Sequence, residues 1–436
     1  MKSTKIIGTF LTAATATALL TSCASGPSAD GSVELTFWDG NAIPERTEVW
    51  KEIIGDFEAE NPGVTIKYVG LPQDQSGTKL DNAVATNSTP DLAVIPRGDV
   101  ANYQAQDALL QLDDLLADSE LADALSPSQV DRVRASVPDE KLYALPTHFV
   151  PDTLWYRPQL FEAAGVEVPD TWNDFIDAAE SLTDSSTGQY GYTIRGGEGA
   201  GYNLLTDLYV SSGITDFFDS SGKTTLNDPA HVEAVEQLAG LFGTSTPEAD
   251  VTNTYPKMLA QFQAGNIAMM QHNIGSYPTL LQTFDETELK PLPLPRSEDD
   301  APRIIVPGLP PSVGIMKDTE HPDESWKFLE FVLDAENNSK LAEVAAGIPS
   351  NVEAQSADWA VASPAIQSAL EVLDDPTTEY VQAPSYLPEW AGIIKNEVEP
   401  EYQRVLLGET TAKEFLDMWA ASVDEAQARY EERQGK

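Results

Sequence analysis

In a 436-residue chain with 70 acids, residue types alone single out no site, so chemistry has to be sought in spacing. The four histidines, His148, His231, His272 and His321, stand far apart and show no metal-ligand spacing. A single cysteine, Cys23, excludes an intramolecular disulfide and a thiolate metal site. No nucleophile elbow, zinc motif or phosphate loop occurs. The run Gly196-Gly197-Glu198-Gly199-Ala200-Gly201 is glycine-rich like a dinucleotide loop, but its glycines miss the G-x-G-x-x-G spacing. It reads better as a loop that lets Tyr202 and Asn203 reach a pocket at a helix start. Other aromatic rings lie beside polar groups at element boundaries, as Trp38 does with Asp39, and Trp390 follows the loop Tyr386-Leu387-Pro388-Glu389. A flat ring supplies contact area at little entropic cost. An adjacent Asp, Asn or Arg adds directional hydrogen bonds, stronger when charged. That is the chemistry of holding a polar molecule, and no cofactor or metal is implied.

These residues need elements to position them. Val33 to Trp38 alternates apolar residues and predicts a strand. Pro44 to Glu60 predicts a helix, with Val49, Trp50, Ile53, Ile54 and Phe57 on one face. Val64 to Val69 predicts a strand, Thr78 to Thr86 a helix and Asp91 to Ile95 a third strand. This order argues a parallel sheet with crossover helices. Ligands in such sheets sit beyond the carboxyl ends of strands, which makes Trp38, Asp39, Arg97 and Asp99 candidates. Further on, Thr171 with Asp174 predicts a helix cap, Tyr190 to Ile194 a strand, Tyr202 to Ser211 a helix, Lys257 to Ala264 a helix and Ile267 to Gln271 a strand. Trp50, Trp172, Trp326 and Trp419 read as core residues.

The formal net charge of −44 argues against nucleic-acid or anionic-membrane binding through the protein surface. The acids are scattered, so a solvated acidic surface accounts for them. Met1 to Cys23 reads as a targeting segment: Lys2 and Lys5, a weakly apolar run from Ile6 to Leu20, then Leu20-Thr21-Ser22-Cys23, which matches the bacterial lipobox. Cleavage before Cys23 would remove two lysines and no acid, taking −44 to −46. Acyl chains on Cys23, palmitate among them, would hold the protein at the outer face of the bacterial cell membrane. Residues 24–31 read as a flexible tether.

The segment Leu142 to Gly165 connects these elements. Pro146 and Pro151 remove backbone donors and break a strand. Trp155-Tyr156 restarts it, and Pro158 to Ala164 predicts a short helix closed by Gly165. The pattern Leu145-Pro146, Trp155-Tyr156, Leu160-Phe161, Ala164-Gly165 resembles the signature of family 1 extracellular solute-binding proteins, the maltose-binding-protein-like components of ABC importers. The family usually has Asn or Asp after the Tyr; here it is Arg157. Phe262, Gly265, Ala268 and Met269 resemble a second landmark of the family, Pro291 to Pro295 its proline-bearing strand, and Gly347-Ile348-Pro349-Ser350 its turn. Some members carry Trp near Ser276; here Tyr277 stands nearby. The resemblance extends over nearly everything after Cys23.

The resemblance implies an α/β, two-lobed periplasmic-binding-protein-like fold, each lobe a sheet flanked by helices, joined by a multi-segment hinge. It divides the chain into residues 32–148 with 308–350 as one lobe and 149–307 with 351–436 as the other. It implies a monomer that captures a sugar or oligosaccharide between the lobes, closes, and delivers it to the permease subunits of an importer. By position it implies Trp38, Tyr202 and Trp390 as platforms for sugar rings. Asp39, Arg97, His148 and Asn273 become polar readers, joined by Asn203 and Glu45. Two rival readings are a secreted glycoside hydrolase, needing two suitably spaced carboxylates, and a polysaccharide-binding surface adhesin.

Overall fold

The structure is a computed structural model that describes residues 32–95, 100–306, 308 and 310–434. Cys23 and the segment before it lie outside the described residues, as do Arg97 and Asp99. Among the described residues, no helix is long and apolar enough to cross a membrane.

In chain order the strands are β1 (Val33–Asp39), β2 (Val64–Gly70), β3 (Leu92–Ile95), β4 (Leu145–Pro146), β5 (His148–Phe149) and β6 (Asp152–Tyr156). They continue with β7 (Met269–Asn273), β8 (Lys290–Leu292), β9 (Ile304–Ile305), β10 (Ser312–Ile315), β11 (Ile348–Pro349) and β12 (Glu379–Tyr380). The first sheet has the order β2-β1-β3-β10-β4. Its β1 runs parallel to β2 and β3, as the alternation of strands and helices predicts. The later β10 enters antiparallel between β3 and β4, so the sheet is mixed. The second sheet is antiparallel, in the order β7-β6-β8.

Local chemistry explains these elements. The helix Pro44–Glu60 starts with Pro at its first turn and buries Trp50, Ile53, Ile54 and Phe57 at helical spacing. Gly63 follows it at φ +107°, a conformation open to glycine and few others. Phe37 from β1 meets Trp50 at 4.6 Å between ring centroids and Phe328 at 5.8 Å, tying sheet to helices. The helix Trp172–Ser181 has the capping box from Thr171 and Asp174. The four tryptophans read as core are buried, Trp50 and Trp326 in one core, Trp172 and Trp419 in another.

The expected strand from Tyr190 to Ile194 is reduced to a single bridge, Tyr190 to Ile267. Beyond Tyr190 the backbone donors go elsewhere: Tyr192 N–H to the Ser245 carbonyl and Ile194 N–H to the Asp250 carboxylate. The strand expected at Ile267 to Gln271 begins two residues later, at Met269.

Each sheet carries its own core. One core runs from Leu35 to Leu145 and resumes from Val313 to Leu341. A second spans Leu154 to Ala426, and a smaller one links Phe149 and Trp155 to Ile348 and Ile366. The chain passes between the two halves near β4–β6, between β9 and β10, and near β11. The antiparallel pair β5–β11 joins two of these crossings, with Phe149 opposite Ile348 and His148 opposite Pro349. The fold is α/β and two-lobed, with helices flanking the sheets.

Candidate functional site

A cavity of about 330 Å³ opens beside these crossings. Its polar side is built by the second sheet. In the β6–β7 ladder Asp152 stands opposite Asn273 at the strand ends, so both side chains reach the same mouth. Asn273 is held in place: its Oδ1 accepts from the Tyr255 hydroxyl at 2.9 Å, and its carbonyl accepts from Ser276 Oγ at 2.8 Å. The Tyr255 ring lies 3.9 Å from the His272 ring, and the Arg195 guanidinium lies over its face at 5.2 Å.

Arg195 is positioned by the glycine run that follows it. Gly196 N–H donates to the Asp250 carbonyl and Gly197 N–H to the Asn253 carbonyl. A Cβ on Gly196 would sit 2.5 Å from the Asp250 oxygen, so only glycine permits this approach. Gly199, at φ +85°, then turns the chain into the helix Ala200–Ser212. That helix carries Tyr202, Asn203 and Thr206 to the cavity and buries Asp207 behind them.

The electrostatics leave few net charges here. Burial, then the neighbouring Asp152 carboxylate, pushes Asp207 well above the usual carboxylate range. Burial therefore favours its protonated form. Burial, then Arg195, pushes His272 down to about 3, so it is neutral. Burial also lowers Arg195, and Asp152 acts against that. Arg303, on the cavity wall, pairs with Asp170. Arg195 and Asp152 are charges of opposite sign, and such a site suits an uncharged, hydrogen-bonding molecule.

Of the residues named from the sequence, Tyr202, Asn203, Asn273 and Trp390 line this cavity. Tyr202 is exposed, whereas Trp390 is buried in a T-shaped pair with Phe217, 5.9 Å between ring centroids. Trp38, Asp39, Glu45 and His148 are not among the lining residues. Trp38, half-buried in β1, has the Lys79 ammonium over its ring at 4.5 Å. Asp39 is fully buried, accepting from Arg46 Nε at 3.2 Å and from the Tyr68 hydroxyl at 3.0 Å. Glu45 is exposed in the first turn of its helix. His148 is buried in the β5–β11 crossing, its Nδ1 3.0 Å from Thr147 Oγ1. Tyr277 stacks on Trp155 in the core, 5.6 Å between centroids, and is not a cavity platform.

Sequence reasoning passed over Asp152, Arg195, Thr206 and Tyr255. The available signal was weak: Asp152 follows Pro151 at the break in the strand, and Arg195 precedes the glycine run. Among the described residues there is no group of three acids, histidines or cysteines that could hold a metal ion.

Comparison with known proteins bears on this architecture. The chain is 25% identical over 334 residues to an arabinooligosaccharide-binding protein of Halalkalibacterium halodurans, covering 72% of this chain and 71% of that one. Its fold is similar to the GacH receptor of Streptomyces glaucescens, solved unliganded and with acarbose: TM-score 0.75, 24% identity, 91% of this chain and 98% of that one. It is also similar to an ABC transporter solute-binding protein of Thermotoga lettingae bound with α-D-tagatose: TM-score 0.76, 22% identity, 91% of this chain and all (100%) of that one. The sequence pattern of the bacterial extracellular solute-binding proteins matches residues 43–339, and with the two-lobed fold it establishes that this chain belongs to that family.

Proposed function

We propose that this protein captures a sugar or oligosaccharide and hands it to the permease of an ABC importer. The supporting observation is the cavity beside the interlobe crossings, where Tyr202, Trp390, Asn203 and Asn273 join Asp152 and Arg195. A sugar presents apolar C–H faces and a rim of hydroxyls. Rings suit the first, and amide, carboxylate and guanidinium groups suit the second. A site built to bond hydroxyls also rejects ligands that lack them, since its own groups would be left unpaired. The sugar ligands of the two structural relatives and the name of the arabinooligosaccharide-binding relative agree with this reading.

The lobes are residues 32–148 with 308–350 and 149–307 with 351–436, closing about the crossings. Trp38, Asp39, Glu45, Arg97 and His148 belong in this reading to the first lobe, whose Gly308 and Pro311 already line the cavity and whose other residues approach it on closure. A ligand touching both faces shifts the population toward the closed form, and the permease recognises that form. Cys23 carries the lipid anchor, and the protein binds without breaking bonds.

The test is a thermal-shift screen of sugars, polyols and oligosaccharides, followed by titration calorimetry and chromatography of the mixture. The expected result is a raised melting temperature, one-to-one binding and an unchanged ligand. Turnover would make the protein a carbohydrate-active enzyme, and absence of any sugar binding would refute the proposal.

A further inference from the structure

The cavity draws its two chemistries from different elements. Asp152, Arg195, Asn203 and Asn273 come from β6, β7, the glycine loop and the helix Ala200–Ser212. Other elements contribute aliphatic groups, Leu294 after β8, Ile305 and Val306 at β9, and Val372 and Leu373 at the end of the helix Pro364–Asp374, interspersed with the polar Arg303, Ser368 and Ser385. The five aliphatic side chains are only half-buried, so their surface is available to an occupant. No described residue from 32 to 148 lines the cavity, so that part of the chain does not cover them.

Branched alkyl groups offer a hydroxyl neither a hydrogen-bond partner nor a flat ring. A hydroxyl pressed against them loses its water and gains nothing. A bare sugar filling the whole cavity would therefore be badly matched over this wall, whereas an alkyl or aryl group would lose unfavourable hydration there. The wall belongs to the same cavity as the polar groups, so one molecule can meet both.

We infer that the preferred ligand is a glycoside carrying an apolar aglycone, its sugar read by the polar groups and its alkyl or aryl part seated on Leu294, Ile305, Val306, Val372 and Leu373. This inference rests on the reading of the cavity as a sugar site.

The experiment is calorimetry on the whole protein with paired probes. A panel of pentoses, hexoses and disaccharides is compared with their methyl, hexyl and 4-nitrophenyl glycosides. The expected result, for any sugar that binds, is a hexyl glycoside held about tenfold or more tighter than its methyl counterpart, since each buried methylene is worth roughly fourfold. Val372→Asp should bring that ratio back toward one. If this variant does not fold, Leu373→Ser on the same helix is read by the same ratio. Equal affinity for hexyl and methyl glycosides would overturn the inference and leave the sugar receptor standing. Hexyl compounds that bind regardless of their sugar, or an advantage that survives the wall substitutions, would also overturn it. If no member of the panel binds, the sugar reading itself falls, and the inference with it.

Discussion

Buried charges dominate at the scale of single residues. Asp39 and Arg46 form an ion pair with side-chain exposures of 0% and 6%. Removing one partner of such a pair leaves the other uncompensated, at about 3–5 kcal/mol. Asp39→Ala should therefore lower stability by that order in denaturant titration. If Asp39→Ala instead weakens ligand binding at unchanged stability, the carboxylate serves the ligand and not the fold. A second buried acid gives a pH dependence. Burial pushes Asp250 up to about 6, against the hydrogen bonds it accepts from Ile194 N–H and Gln261. The unfolded chain ionises near the ordinary value, so the folded state holds this proton more tightly. Its contribution is fully present below about pH 4 and is lost as pH rises toward 6, on the order of 3 kcal/mol. Melting curves from pH 4 to 7 should show a smaller fall for Asp250→Asn than for the native protein, and parallel profiles would contradict this.

At the scale of elements, one side chain ties the halves together. Arg132, on the helix Pro127–Arg134 of the first core, places its guanidinium over Phe149 at 4.3 Å and over Tyr380 of β12 at 5.2 Å. Its neighbour strand β9 also contributes to the cavity wall. Two such contacts are worth about 0.5–2 kcal/mol each where desolvated. Arg132→Ala should lower the melting temperature and speed amide exchange in Val381, whose N–H is bonded to the Ile305 carbonyl. Unchanged exchange there would mean that β9 and β12 are held without the cation. The elements themselves were largely legible. The helix Pro44–Glu60 has the predicted bounds, because Pro, apolar spacing and Asn61-Pro62-Gly63 are all local signals. The strand at Tyr190 to Ile194 was misread because its apolar alternation is real, but its donors find partners in distant loops.

At the scale of the molecule, the two lobes share three crossings, and the cavity lies beside them. The arrangement predicts that a saturating ligand, once identified by thermal shift, compacts the protein. Small-angle scattering should record a smaller radius of gyration with ligand than without. Superimposable profiles would mean that binding occurs without closure.

What the sequence determines by itself is the part written in local chemistry: periodicity, caps, prolines, glycines, and the linked landmarks from Leu145 to Gly165. These suffice for most of the elements and for the family; of the site residues they suggest, Tyr202, Asn203, Asn273 and Trp390 line the cavity, whereas Trp38, Asp39, Glu45 and His148 do not. Tertiary structure alone decides which charges face each other. Asp152 meets Asn273 across a ladder joining residues more than a hundred positions apart, Arg195 finds Tyr255, and Asp39 is taken up by Arg46 and Tyr68. The reason is physical. Periodicity reports which face of an element is apolar, whereas the partner of a polar group depends on chain crossings that bring distant residues together.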